Sequence, residues 1–267
     1  MKSIVSYTFL LFFIATVHAQ HVGDSFTNAR SSKTARLIYI HDATPKLVEG
    51  SAGSESGLLV DIMNEFGLYI RDKYGIQVTP TFVQQTDFVA FMQDVKAGSG
   101  GVFGLSNISI TEDRKAEYAF SPSYLDNISV LLTSNQVASL SSMDEIQTAF
   151  AGMKAYTIEG STQKLRIEKI RDEYLPDLKI EILASTTDVM NALVSDPKSF
   201  SALDLVDYLG SEIRGQLRRH AVADADGDQF GVIMPKNSDW EPIMKEFFDA
   251  GFINGYKYRK MLMTNLR

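Results

Sequence analysis

The sequence predicts an α/β protein of two lobes, each a mostly parallel sheet flanked by helices. Three observations carry that prediction. Strand-like and helix-like segments alternate through the first third of the chain, a second alternating series follows, and the composition is that of a soluble globular protein. The 267 residues are 45% hydrophobic, 22% charged and 10% aromatic, which is enough apolar material for two lobes of ordinary size.

The chain begins with Lys2, an apolar stretch over residues 7–17 and the small-residue site Val17-His18-Ala19. That order is a secretory signal peptide, and its apolar part is too short to span a bilayer. Residues 1–19 are therefore expected to be removed, leaving a mature protein that starts at Gln20 in the periplasm or is secreted. Residues 20–33 are polar and lack apolar periodicity, so they read as a flexible leader.

From there the pattern is regular. Residues 35–40 form an apolar strand, and residues 58–73 repeat Leu59, Ile62, Met63, Phe66 and Ile70 at helical spacing. Residues 77–83 are a strand, residues 86–96 a helix with Phe88, Phe91, Met92 and Val95 on one face, and residues 102–105 a strand after a glycine-rich turn. Such a βαβαβ series puts its functional crevice beyond the carboxyl ends of the strands. After a hairpin-like stretch at 129–133, residues 154–158, 179–183 and 199–203 read as strands and residues 161–174 and 187–195 as helices. A strand at 230–234 and a helix at 239–252 follow. Two similar units imply two lobes: a large one over 34–125 and 229–267, and a small one over 126–228, joined by crossovers near 124–128 and 226–230.

Composition also excludes whole classes of function. Lys and Arg total 26 against 33 Asp and Glu, a net charge of −7, which disfavours a nucleic-acid partner. There is no cysteine, and the four histidines, His18, His21, His41 and His220, include no pair at i, i+4, so no metal centre is expected. No phosphate loop or nucleophile motif occurs, and no cofactor is expected. Asp224-Ala-Asp-Gly-Asp228 imitates the start of a calcium loop, but Gln229 stands where that loop needs glycine, so it reads as a polar crossover. Arg218-Arg219-His220 reads as a solvated turn or helix end.

Three segments could carry chemistry. In Gly104-Leu-Ser-Asn-Ile-Ser-Ile-Thr-Glu-Asp-Arg114, a strand runs into a helix start, and Asn107, Ser109 and the guanidinium fork of Arg114 could converge on a carboxylate. The alternative there is a helix capped by Thr111 with Arg114 salt-bridged on the surface. In Glu159-Gly-Ser-Thr-Gln163, Ser161 and Thr162 open a helix whose free N–H groups attract anions, or Ser161 simply caps it. Asp204 ends an apolar strand, facing a crevice or capping residues 205–209.

These segments together resemble one family. GLSNISITEDR followed by Ala119-Phe-Ser-Pro-Ser-Tyr124 is similar to the hallmark of type II periplasmic solute-binding proteins of the polar amino-acid ABC transporters, bacterial extracellular solute-binding protein family 3. The helix entry at 57–61, Asp87-Phe88 with the following helix, and Gln229-Phe-Gly-Val-Ile-Met-Pro-Lys236 match in family order, so the resemblance spans residues 34–267. It implies a two-lobe type II binding-protein fold. It also implies that Arg114 and Ser109 hold a ligand α-carboxylate, that Asn107 offers its backbone carbonyl and Asp204 its carboxylate to the α-ammonium, and that Ser161 and Thr162 close from the opposite lobe. Asp42 falls at a pocket-wall acidic position. The aromatic expected nearby is replaced around Ala43-Thr44-Pro45, Leu59 stands where many members are polar, and Phe88 is the remaining aromatic, so ligand identity stays open.

The resemblance thus implies a monomeric, non-enzymatic receptor that captures an amino acid or related small carboxylate by hinge closure and delivers it to an inner-membrane ABC permease. The alternatives are an enzyme on the same scaffold, similar to carboxylic-acid dehydratases, with His41, Asp42, Asp87 or Asp204 as acid or base, and a ligand-sensing or partner-binding protein.

Overall fold

The computed structural model describes residues 20–42, 44–50 and 53–266; the signal peptide expected over residues 1–19 lies outside the described residues. The segment expected as a flexible leader is instead docked and partly helical. Val22 bridges to Ser99, and α1 (Phe26–Ser32) starts at Ser25, whose hydroxyl accepts the Asn28 N–H. Phe26 and Ala29, one turn apart, are buried, and Phe26 meets the Trp240 ring edge-on at 5.1 Å. Two apolar residues in a polar heptapeptide are too few to register as a period, yet they are what the large lobe needs to cover Trp240. The Asp239 carboxylate accepts the N–H groups of Phe26 at 2.9 Å and Thr27 at 3.0 Å, satisfying amides that open the helix. Asp239→Ala is expected to destabilise the large lobe by about 1 kcal/mol, lowering Tm by roughly 2–4 °C. A thermal melt that does not move would mean the segment contributes nothing to the fold.

The large-lobe sheet is organised by β1 (Thr34–Asp42), whose alternating side chains serve two cores. Leu37 and Tyr39 pack with Phe66, Phe103 and Trp240, while Ile38 and Ile40 pack with Phe91, Val95 and Ile233. A strand buried on both faces needs a helix over each. α2 (Leu58–Tyr74) covers the first, then after β2 (Gln77–Gln85) the helix α3 (Phe88–Ala97) covers the second. α2 starts at Gly57, where φ is +122° and an added Cβ would lie 2.5 Å from the Leu47 carbonyl oxygen. Asp87 caps α3 by accepting the Ala90 N–H at 2.7 Å. β3 (Val102–Leu105), α4 (Glu112–Glu117) and β4 (Tyr118–Phe120) complete the first pass.

The chain leaves on β5 (Leu125–Ser134), a single long strand where the sequence suggested a hairpin at 129–133. The small lobe follows: α5 (Ile146–Ala149), β6 (Lys154–Ile158), α6 (Thr162–Tyr174), β7 (Lys179–Leu183), α7 (Thr186–Ser195), β8 (Ser199–Asp204), α8 (Leu205–Gly210), β9 (Leu217–Arg219) and β10 (Ala225–Phe230). β8 repeats the alternation of β1, with Phe200 and Ala202 in one core and Leu203 in the other. β11 (Ile233–Pro235), α9 (Glu241–Phe247) and α10 (Tyr256–Asn265) return to the large lobe. The helix expected over 239–252 ends at Phe247, because a π-helical turn over Phe248–Phe252 contains Gly251 at φ +88°.

Both sheets are mixed. The large one runs β2-β1-β3-β11-β4 and the small one β10-β5-β8-β6-β7, with β9 also beside β5. Within each lobe the strands of the βαβ units pair in parallel, and the strands delivered by the crossovers run against them. The two connections between the sheets, β5 and β10, pair antiparallel with each other before β5 pairs with β8 through Ser129–Thr133, so the hinge ladder is continuous with the small-lobe sheet. Arg218 and Arg219 belong to a strand, not to a solvated turn, because β9 pairs with the end of β5. His220 beside them is fully buried, its ring nitrogens meeting the Thr133 hydroxyl at 2.8 Å and the Leu140 N–H at 3.2 Å. Burial lowers its pKa to about 4.

Candidate functional site

The carboxyl ends of the parallel strands meet at the junction of the two sheets. Asp42 ends β1, Gln85 ends β2 and Asp204 ends β8, while Asn107 lies just past β3 and Gly160 just past β6. Asp42, Gln85, Asn107 and Asp204 border a cavity of about 220 Å³, and all eight residues singled out in the sequence, Asp42, Phe88, Asn107, Ser109, Arg114, Ser161, Thr162 and Asp204, line it. The loop carrying Asn107 and Ser109 is tied to the returning crossover: Ile110 donates to the Gln229 carbonyl at 2.8 Å, and Gly231 to that of Ile108 at 3.0 Å.

Arg114 sits in the first turn of α4, its own N–H accepted by the capping Thr111 hydroxyl at 3.2 Å. Both sequence alternatives hold in part: the cap forms, but the guanidinium turns into the cleft. Nη1 donates to the Ser109 carbonyl at 3.1 Å and Nη2 crosses to the Gly160 carbonyl of the small lobe at 3.0 Å. The guanidinium carbon lies 5.9 Å from the Phe88 ring centroid, a cation–π placement. Burial depresses its pKa and Asp228 and Asp204 oppose that, so it remains a cation. Gly160 presents its carbonyl from φ +74°, the left-handed region that favours glycine.

Ser109 meets the Thr162 hydroxyl across the cleft at 3.1 Å. The Ser161 hydroxyl is already engaged, donating to the Ile158 carbonyl at 2.7 Å and accepting the Lys164 N–H at 3.2 Å, so its capping alternative is realised. Asp204, by contrast, makes no side-chain cap on α8. Its carboxylate collects three amides: Asn127 at 2.6 Å, Gln163, and Asn107 of the large lobe at 2.6 Å. Burial raises its pKa, while the three amides and then Arg114 pull it back. The Asn107 side chain is a further link across the cleft, since Nδ2 also donates to Asp207 Oδ2 at 3.0 Å.

Sequence reasoning missed Asp207, Gln163, Asn127, Thr44 and Ser106. Thr44 donates to Asp42 at 2.7 Å and lies 3.3 Å from the Ser106 hydroxyl, which donates to Asn107 Oδ1 at 3.0 Å. A polar chain thus runs from Asp42 through Thr44, Ser106 and Asn107 to Asp204 and Asp207. Burial raises the pKa of Asp42, and the Ser106 and Thr44 hydroxyls lower it in part. Asp207 carried a readable signal: it follows Asp204 by one helical turn and sits next to the apolar Val206.

No protein-family model and no curated protein sequence matches the chain. Solved structures do. An ancestral arginine-binding protein bound to arginine is 18% identical, covers 87% of this chain and 98% of its own, and superposes with a TM-score of 0.67. The arginine-, lysine-, histidine-binding protein ArtJ from Geobacillus stearothermophilus is 18% identical over 86% and 94%, also at 0.67. An ancestral amino acid-binding protein, a precursor of cyclohexadienyl dehydratase, is 16% identical over 90% and 99%, at 0.69. The fold is the two-lobe periplasmic binding protein fold. The cavity lies between the two sheets bridged by β5 and β10, and the side chains above line it from both of them. Among the described residues, no helix is long and apolar enough to cross a membrane.

Proposed function

We propose that this chain is an extracytoplasmic receptor that captures an amino acid or related small carboxylate between its lobes and presents the closed, loaded form to an inner-membrane ABC permease. One observation carries the reading: a half-buried guanidinium from the large lobe and a buried carboxylate from the small lobe, Arg114 and Asp204, line the same cavity. A zwitterion is the small molecule that satisfies both. Arg114 and Ser109 take its carboxylate with Thr162 approaching from the far side, and Asp204 takes its ammonium. Cleavage near Ala19 releases the chain outside the cytoplasm as a monomer. The similar structures support the ligand class, since their bound molecules include arginine, glutamine and lysine.

Closure follows from differential affinity. A ligand that touches one lobe binds the open and closed forms equally and shifts nothing, whereas one that bridges Arg114 and Asp204 stabilises the closed form. The cross-cleft bonds from Arg114 to Gly160, Ser109 to Thr162 and Asn107 to Asp204 then add to that form.

The test is a thermal titration of the mature chain with the common amino acids. A ligand at a hundred times its Kd contributes about 2.7 kcal/mol, so the matching one is expected to raise Tm by roughly 5–10 °C without being consumed. Conversion of the ligand to product would establish the dehydratase-like alternative, and a Tm unmoved by every amino acid would end the receptor reading.

A further inference from the structure

The cleft is unbalanced in charge for a neutral zwitterion. Its lining carries three carboxylates, Asp42, Asp204 and Asp207, against one cation, Arg114. A ligand carboxylate on Arg114 and an ammonium on Asp204 leave two acids unmatched. Asp42 is served by the Thr44 hydroxyl at 2.7 Å. Asp207 is served on one oxygen alone: Oδ2 accepts from Asn107 at 3.0 Å, and Oδ1 is buried without a partner. The residue is 2% exposed and lines the cavity. A buried carboxylate oxygen with nothing to accept from is costly to keep, unless an occupant supplies the donor. The donor set is not arranged for a metal: among the described residues, no group of three or more His, Cys, Asp or Glu could hold one.

We propose that Asp207 is the specificity-determining residue of this cleft, receiving a second positive group on the ligand, so that the preferred ligands are cationic amino acids carrying a distal guanidinium or ammonium. This rests on the reading of the cleft as an amino-acid site. A cationic amino acid brings one negative and two positive groups, which pair with Arg114, Asp204 and Asp207 in turn. Asn107 then acts as spacer, its amide holding the Asp204 and Asp207 carboxylates in fixed relation while the ligand's two cations meet their other faces. A neutral amino acid leaves Asp207 Oδ1 buried and unmet.

Proton release gives the proposal a second readout. The carboxylate charges of Asp204 and Asp42 face Asp207, and Tyr124 senses all three acids, so burial and those like charges hold the Asp207 pKa well above its ordinary value. A ligand cation must displace that proton to form its ion pair.

The experiment is calorimetry of the mature chain with arginine and with citrulline, its neutral isostere, in buffers of different ionisation enthalpy at about pH 6. Arginine is expected to bind about tenfold to a hundredfold tighter than citrulline and to release more protons on binding than citrulline does. In Asp207→Asn, checked for folding by its melt, that preference is expected to fall to about threefold or less, and the extra release to disappear. The proton count on the parent alone decides the matter if the variant does not fold. Citrulline binding as tightly as arginine, with equal proton release, would overturn the role of Asp207 while leaving the amino-acid reading intact. Binding of neither would overturn the cationic preference, and the thermal titration with the common amino acids would then decide the amino-acid reading by itself.

Discussion

Replacing Arg114 with alanine is expected to weaken amino-acid binding by about a hundredfold or more while leaving the melting of the unloaded chain nearly unchanged. The two halves of that expectation have separate grounds. Removing one partner of a buried ion pair costs about 3–5 kcal/mol, because the other charge stays desolvated without its counter-ion. Here the abandoned partner is the ligand carboxylate. The fold, in contrast, asks little of this side chain: α4 buries none of its residues, and the guanidinium donates to two carbonyls and stacks on Phe88 without entering an apolar core. Arg114→Lys separates charge from geometry. A lysine keeps the cation but cannot donate in a planar fork or stack as the guanidinium does on Phe88, so an intermediate loss is expected. Calorimetry with the best amino acid, beside a melt of each variant, checks both halves. If Arg114→Ala binds as tightly as the parent, the carboxylate is read elsewhere.

What the sequence made legible was whatever leaves a period or a motif. The apolar runs of β1 and β8 and the helical spacing of α2 stood out because a buried strand or amphipathic helix commits many residues to one pattern. The same holds for Arg114 and Asp204, placed by their position after a strand. α1 was illegible because its burial rests on two residues and on Asp239, more than two hundred positions away. The β5 strand was misread as a hairpin because its register comes from β10 and β8, neither visible locally. In the cleft, the resemblance pointed to eight residues that line the cavity but not to the polar chain behind them. Thr44, Ser106, Asn127 and Gln163 are ordinary polar residues in the sequence, and what selects them is proximity to buried carboxylates. Asp207 is ambiguous in the sequence, because one acid three residues after another is also the commonest look of a solvated helix face. Its neighbour Val206, buried beside it, is what tells the two apart.

The cluster of acids in the cleft also fixes how stability varies with pH. For Asp207 the sign is as follows: the folded pKa is raised, so between the unfolded value near 3.9 and the raised folded value the native chain holds a proton that the unfolded chain has lost. Stability is therefore fully present below that window and declines as pH rises through it, by about 1.4 kcal/mol per pH unit for one carboxylate. Asp204 and Asp42, raised by the same burial, add to the decline. His220 works the other way, because its folded pKa is lowered to about 4 and stability rises with pH from there toward the unfolded value near 6.5. Parent and Asp207→Asn share His220, so the difference between their melts at each pH cancels it. That difference is expected to widen in favour of Asp207→Asn as pH rises from about 4 up to the raised folded value, at about 1.4 kcal/mol per unit, and then to level off. Removing the charge that faces Asp204 eases the ionisation of that neighbour, so the divergence adds to what Asp207 gives alone. Denaturant titrations of the two chains at matched pH values measure it, and parallel curves would mean that Asp207 ionises as freely in the folded cleft as in the unfolded chain. On the proposed reading, the unloaded cleft carries the repulsion that a cationic ligand would relieve, so loading is expected to stabilise it most where the acids are fully ionised.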